Sequence, residues 1–300
     1  AGGYNVASCG RGLSQFENGS RMSNPGKGIS VTFWGVRGST PVPGPETARY
    51  GGNTPCVEVR AGDSIFVLDA GTGIQAFGRD FREKSDEPVK LHLFLTHTHW
   101  DHIQGLPFFQ LAYDPRNEIH IVGPKRQGSA LLDCLERQML PPNFPVPFAL
   151  LQGVKSVTEM ASGDSMQVGD ATIHAAALNH PNESMGFRVE HGGRALAYCL
   201  DHEHGDTNQI HPGVAALAQN ADMLVFDAAY TDEEYPSFRG WGHSTWQEGH
   251  KTARELGVSI LALAGFNPGV VDSDLDAIKA EVEAMAGRTI IATEGSSIEL

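Results

Sequence analysis

One short stretch constrains this chain more than any other. His97-Thr98-His99-Trp100-Asp101-His102 places four metal-capable side chains, His97, His99, Asp101 and His102, within six residues. It follows the apolar run Leu91–Leu95, which reads as a strand, so the loop begins at a strand's carboxyl end. Alternate residues of an extended chain face the same way, which lets His97 and His99 point together. A turn after Trp100 then sends Asp101 and His102 to a neighbouring position. Imidazoles with one or two carboxylates suit Zn2+ and also accommodate iron or Mn2+. The competing reading is a polar loop with coincidental histidines. A single histidine would favour it; four donors at this spacing after an apolar strand do not.

The surrounding pattern supplies a frame for such a loop. Ile29–Trp34, Cys56–Arg60, Ser64–Leu68, Leu91–Leu95 and Glu118–Val122 read as strands, with a helix over Ile74–Arg82 and an apolar helix over Leu106–Tyr113. Gly128–Leu140 reads as a helix, and the proline-rich Pro141–Phe148 as neither regular element. Val154–Glu159, Ser165–Val168, Thr172–Ala177, Gly186–Glu190 and Arg194–Leu200 are strand-like. Beyond them strands (Met223–Phe226, Ile260–Ala264, Thr289–Ala292) alternate with helices (Val214–Asn220, Thr245–Leu256, Asp272–Met285). This order predicts an α/β fold of two sheets packed face to face with helices outside, a four-layer αββα sandwich. No internal repeat or linker divides residues 29–300, which read as one domain. Residues 1–28, rich in Gly, Ser and Asn, read as a flexible leader, within which Met22 is a possible native start.

Charge narrows the function classes. The formal net charge is −14, and no cluster of Lys and Arg exceeds two adjacent residues. Long nucleic acids are therefore disfavoured as partners, because phosphate neutralisation supplies much of their affinity. Small anionic substrates stay open, since a bound divalent ion dominates its local field. No apolar run reaches the roughly eighteen residues of a membrane span, and the N-terminus lacks a secretory pattern. The four scattered cysteines, Cys9, Cys56, Cys134 and Cys199, form neither a zinc ribbon nor a dense disulfide framework. A cytoplasmic setting follows from these features.

Thr96–His102 resembles the HxHxDH motif of the metallo-β-lactamase-fold superfamily, and Asp69-Ala70-Gly71-Thr72-Gly73 resembles the Asp/Gly turn that precedes it. The likeness runs from Ile29 to Leu300 and implies the αββα sandwich. It also implies that His180, in Leu178-Asn179-His180-Pro181, joins His97 and His99 at a first metal. Asp201, after the apolar run ending at Leu200, would bridge to a second metal held by Asp101 and His102. Taken alone, His180 reads as a loop histidine and Asp201 as a turn former or cap. Gly242-His243-Ser244-Thr245 and Phe33-Trp34-Gly35-Val36-Arg37-Gly38-Ser39 resemble the ribonuclease Z branch and its smaller relatives that cleave cyclic nucleotides. There His243 would lie near the scissile phosphate, with Ser244 and Thr245 beside the substrate; helix capping is the alternative use of those two hydroxyls.

One position departs from that pattern. Where a further histidine ligand is expected after Ile260–Ala264, the chain reads Gly265-Phe266-Asn267-Pro268. Neither Gly265 nor Phe266 offers a side-chain donor, so the expected content is one or two Zn2+ per chain with an incomplete second site. The resulting expectation is a phosphodiesterase acting on a small phosphodiester, a cyclic nucleotide first. Asp101 positions water or accepts its proton, and His243 serves the leaving oxygen. A homodimer is implied by resemblance. A lactonase or thioester hydrolase of the same fold and a non-catalytic metal- or nucleotide-binding protein are the alternatives.

Overall fold

The computed structural model describes residues 28–126, 128–206 and 209–300; the expected leader lies outside them save for Gly28. Fourteen strands among the described residues form two seven-stranded sheets. The first contains β1 (Ile29–Gly35), β2 (Cys56–Ala61), β3 (Ser64–Leu68), β4 (Lys90–Phe94), β5 (Glu118–Pro124), β6 (Val154–Met160) and, at its far edge beside β1, β14 (Ser297–Glu299). The second runs from β7 (Ser165–Val168) through β8 (Ala171–Leu178), β9 (Ser184–His191), β10 (Arg194–Cys199), β11 (Met223–Asp227) and β12 (Ile260–Ala264) to β13 (Arg288–Ile291). Each sheet has an antiparallel part, joined by short turns, and a parallel part, β3 to β6 and β10 to β13.

Alternation sorts the apolar side chains between two cores. Phe66, Leu68, Phe94 and Val122 face the second sheet and meet Ile173, Phe187, Val189 and Tyr198. Leu91, Leu93, Ile119 and Ile121 face outwards, under α1 (Gly73–Lys84), α3 (Gln110–Tyr113) and α4 (Leu131–Gln138). Leaving a parallel sheet uncovered would expose both the strands' apolar faces to water, so helices close it. On the second sheet α5 (Pro212–Ala218), α7 (Trp246–Glu255) and α8 (Asp272–Glu283) provide the cover, through residues such as Leu217, Trp246 and Leu275. The αββα sandwich follows.

Local chemistry moved several boundaries. The expected helix Leu106–Tyr113 is a 3-10 turn, Leu106–Phe108, followed by α3, because Phe109 adopts an extended conformation between them. Gly128 has a positive φ, so α4 starts only at Leu131. Two short helices, α2 (Trp100–Ile103) and α6 (Tyr235–Phe238), lie in stretches that carry no helical periodicity. The bends and turns that matter for chemistry all sit at one end of the sandwich. The loops after β4, β8, β10, β11 and β12 open there, at the carboxyl ends of their strands.

Candidate metal centre

The motif loop turns as its residue types suggest. His97 leaves the end of β4, His99 stands just before α2, and Asp101 and His102 lie on that single helical turn. The turn closes tightly because Gly71 and Gly105 pack backbone to backbone, where a Cβ on either would overlap its neighbour. His180 arrives after β8 and Asp201 after β10, where Asp201 takes a left-handed φ of 52°.

Two donor groups share Asp201. His97, His99, His180 and Asp201 offer ligand atoms within 4.8 Å of one another, as do Asp101, His102 and Asp201. His99 Nδ1 and His180 Nε2 are 3.1 Å apart. Asp201 Oδ2 lies 3.5 Å from His97 Nε2 and 3.4 Å from His180 Nε2, while Asp201 Oδ1 lies 3.1 Å from His102 Nε2. Yet His97 Nε2, His102 Nε2 and Asp201 Oδ1 are buried without a hydrogen bond. The atoms converge on common points rather than pairing with one another. Buried polar atoms left this way cost about 1–3 kcal/mol each; a cation at each convergence point would satisfy them, so the residues fit a metal centre.

The outer contacts fix which ring nitrogen faces inward. Asp69 Oδ2 accepts from His102 Nδ1 at 2.9 Å and from the Tyr198 hydroxyl at 3.0 Å, and Asp69 Oδ1 accepts from the Thr96 amide. His180 Nδ1 donates to the Gly242 carbonyl at 2.8 Å. Thr96 Oγ1 lies 3.0 Å from His97 Nδ1. Asp101 is aimed by the Ser39 amide, which donates to its Oδ2 at 2.7 Å. That amide belongs to the loop after β1, which also bonds Gly265 and Phe266 through Val36 and Gly38.

Electrostatics favour positive charge at the same place. Burial and its histidine neighbours hold His97 well below the usual imidazole range, neutral as a ligand must be. At His102 burial opposes the charge, but Asp201, Asp69 and Asp101 together raise it well above that range. Burial also opposes the charge on Asp201, yet His102 and His243 hold its carboxyl well below the carboxylate range.

His243 lies against this centre, its ring 5.3 Å from that of His180. Its Nδ1 is paired with Asp227 Oδ2 at 2.8 Å. Burial works against protonation, but Asp227 and then Asp201 outweigh it and push His243 up to about 9. Asp201, Asp227 and His243 also cluster closely enough to hold an ion, although the last two are already spent on each other. The sequence reasoning missed Asp227. Its signal was that it ends the apolar run Met223–Phe226 just as Asp201 follows β10.

The Ser244 and Thr245 hydroxyls, expected beside the substrate, are bonded within the protein. Both are fully buried. Ser244 Oγ donates to the His202 carbonyl at 2.5 Å, and Thr245 Oγ1 donates to Asp232 and accepts from the Glu248 amide as the cap of α7. Capping therefore claims Thr245, and fixing the loop after Asp201 claims Ser244. Gly265 sits where the departure from the pattern was expected, with a φ of 74°. A Cβ built there would make ordinary contact with Leu200 and Asp227, at 3.6 and 3.9 Å.

Comparisons with known proteins place the chain in a family of this fold. The family model described as "Beta-lactamase superfamily domain" matches residues 65–266. Ribonuclease Z of Haloarcula marismortui is 23% identical over 316 aligned positions, covering 89% of this chain and 95% of the relative. Among solved structures, the metallo-beta-lactamase fold protein YhfI of Bacillus subtilis superposes with a TM-score of 0.66 at 21% identity, over 91% of this chain and all of the other. A diphosphatase of the PhnP family gives 0.65 at 16% identity, over 91% and 97%.

Proposed function

The chain belongs to the beta-lactamase superfamily, and we propose that it hydrolyses a small phosphodiester, a cyclic nucleotide in the first place. Membership together with the His/Asp cluster makes it a metal-dependent hydrolase. The observation that carries the substrate class is the Asp227–His243 pair beside the shared carboxylate Asp201. An imidazole kept protonated through neutral pH suits a poor alkoxide leaving group, which must receive a proton as its bond breaks. Acyl transfer to water at the same centre would make less use of it.

His97, His99, His180 and Asp201 would hold one ion, and Asp101, His102 and Asp201 a second. Zinc suits this set of imidazoles and carboxylates. A divalent ion bound there would supply a water of lowered pKa and positive charge to stabilise the phosphoryl group. The chain's own groups do the rest. Asp101, aimed by Ser39, positions the attacking water and takes its proton. Oxygen attacks phosphorus, the ester P–O bond breaks, and His243 delivers its Nε2 proton to the departing oxygen. Asp227 holds the ring through Nδ1 and stabilises its charged form. A second ion would have three protein donors, one of them shared, with Gly265 offering none; we infer that it would be bound more weakly than the first.

The acidic balance supports a small substrate, while a curated relative named Ribonuclease Z supports RNA as the second reading. A single domain from residue 29 onwards, a homodimer and a cytoplasmic setting belong to the same proposal; no helix among the described residues is long and apolar enough to cross a membrane. Incubating metal-loaded protein with cyclic nucleotides, a precursor transfer RNA and a thioester tests the order. Cleavage of cyclic nucleotides, reduced about 10²–10⁴-fold by His243→Ala, is expected. Selective RNA cleavage would overturn the substrate. Thioester turnover indifferent to His243→Ala would overturn the reaction class.

A further inference from the structure

The loop that leads into His243 carries an indole whose backbone is held in place and whose ring is largely exposed. Trp241 is 63% exposed. Its backbone is pinned on both sides, because the amides of Gly240 and Gly242 both donate to the Glu203 carboxylate, at 2.7 and 2.9 Å. Glu203 is itself buried and accepts a third bond, from the Tyr235 hydroxyl at 2.8 Å. The indole meets Phe238 edge to face, centroids 5.5 Å apart and planes at 88°. Phe238 in turn stacks flat on Tyr230 at 4.3 Å. Trp100 is more exposed, at 80%, but has no ring neighbour among the described residues.

The pinned loop is also the one that serves the chemistry. Gly242, next to Trp241, accepts from His180 Nδ1 through its carbonyl, and His243 follows directly. Gly242 has a φ of 90°, and a Cβ there would overlap the His180 ring, so the loop approaches the donor as closely as a backbone can. An exposed indole with a fixed backbone, in the loop that leads into His243, offers apolar aromatic surface to a bound substrate. Planar aromatic rings stack on such faces without needing positive charge.

Resting on the phosphodiesterase reading, we propose that Trp241 is the stacking platform for a nucleobase carried by the substrate. Cyclic mononucleotides and the end of an RNA share that chemistry. The test compares metal-loaded wild type, Trp241→Ala and Trp241→Phe on a 2′,3′-cyclic nucleotide, on a short RNA and on methyl ribofuranoside 2,3-cyclic phosphate, which lacks only the base. Trp241→Ala should raise KM for the nucleotide about tenfold, change the base-free substrate far less, and leave the melting temperature in place; Trp241→Phe should recover most of the loss. Equal effects on both small substrates, or none, would overturn the proposal. If wild type cleaves no phosphodiester, the functional reading fails instead, and the platform is read directly. Adenosine monophosphate should then quench tryptophan fluorescence in wild type but not in Trp241→Ala, and absence of quenching in wild type would overturn it. A preference for RNA that keeps the Trp241 dependence would retain the platform and change only its source.

Discussion

Asp227→Asn keeps the shape of a side chain and removes one charge, so it isolates what the pair with His243 does. His243 stands at about 9 against an ordinary imidazole value of 6.5, a difference worth about 3.4 kcal/mol at about 1.36 kcal/mol per unit. Burial pulls the other way, and of the groups that raise it Asp227 acts first. Asp201 and Asp101, the other contributors, are spent on cations when metal is bound, which leaves Asp227 as the support that persists. Without it the ring should fall to its ordinary value or below. At pH 7.5 the protonated fraction would drop from at most about 0.97 to about 0.1, so an acid that works only when protonated loses up to about tenfold in kcat. The sign is fixed. A raised value keeps the acid competent above neutral pH, and its loss moves the alkaline limb of the pH–rate profile down, with activity recovering below about pH 6. The assay is kcat against pH for wild type and variant with saturating metal and cyclic nucleotide. A uniform loss at every pH, or an unmoved alkaline limb, would refute the reasoning.

Asp69→Asn should reorient His102 and weaken the second ion about 10–100-fold while the first ion stays, which equilibrium dialysis against a zinc buffer series reads; equal weakening of both ions would contradict it. Away from the centre, His92 stacks on His120 at 4.9 Å between neighbouring strands, and burial, then His120 and Lys90, lower it to about 4. The folded protein binds that proton less readily than the unfolded chain, so stability should fall as pH drops from about 6.5 to about 4. His92→Gln should flatten that part of a melting-temperature profile, and an unchanged slope would refute the assignment.

Much of the fold was legible because its strands are short apolar runs with clear ends. Leu91–Leu95, Arg194–Leu200 and Met223–Phe226 mark where the chain leaves the sheets, and that is where His97, Asp201 and Asp227 stand. The donors could be found because a loop bearing four of them demands partners. What escaped depended on contacts between distant segments. β14 is three residues long and exists through its pairing with β1, with Ile298 opposite Val31. Asp227 belongs with a histidine sixteen positions later, and Glu203 with amides near residue 241, neither of which leaves a local pattern. The partners of the Ser244 and Thr245 hydroxyls are not legible locally for a related reason. A residue type says that a group can bond, and the tertiary structure decides whether water, substrate or the protein's own backbone is its partner.

The central claim is a metal centre with unequal halves, one with four donors and the other left with three where Gly265 stands. Zinc titration of metal-stripped protein, followed by elemental analysis after dialysis, tests it most directly. One ion per chain should remain after dialysis, and a second should bind only at higher free zinc and be lost in Asp101→Ala without the first. Two ions retained with equal affinity, or none retained at all, would contradict the account.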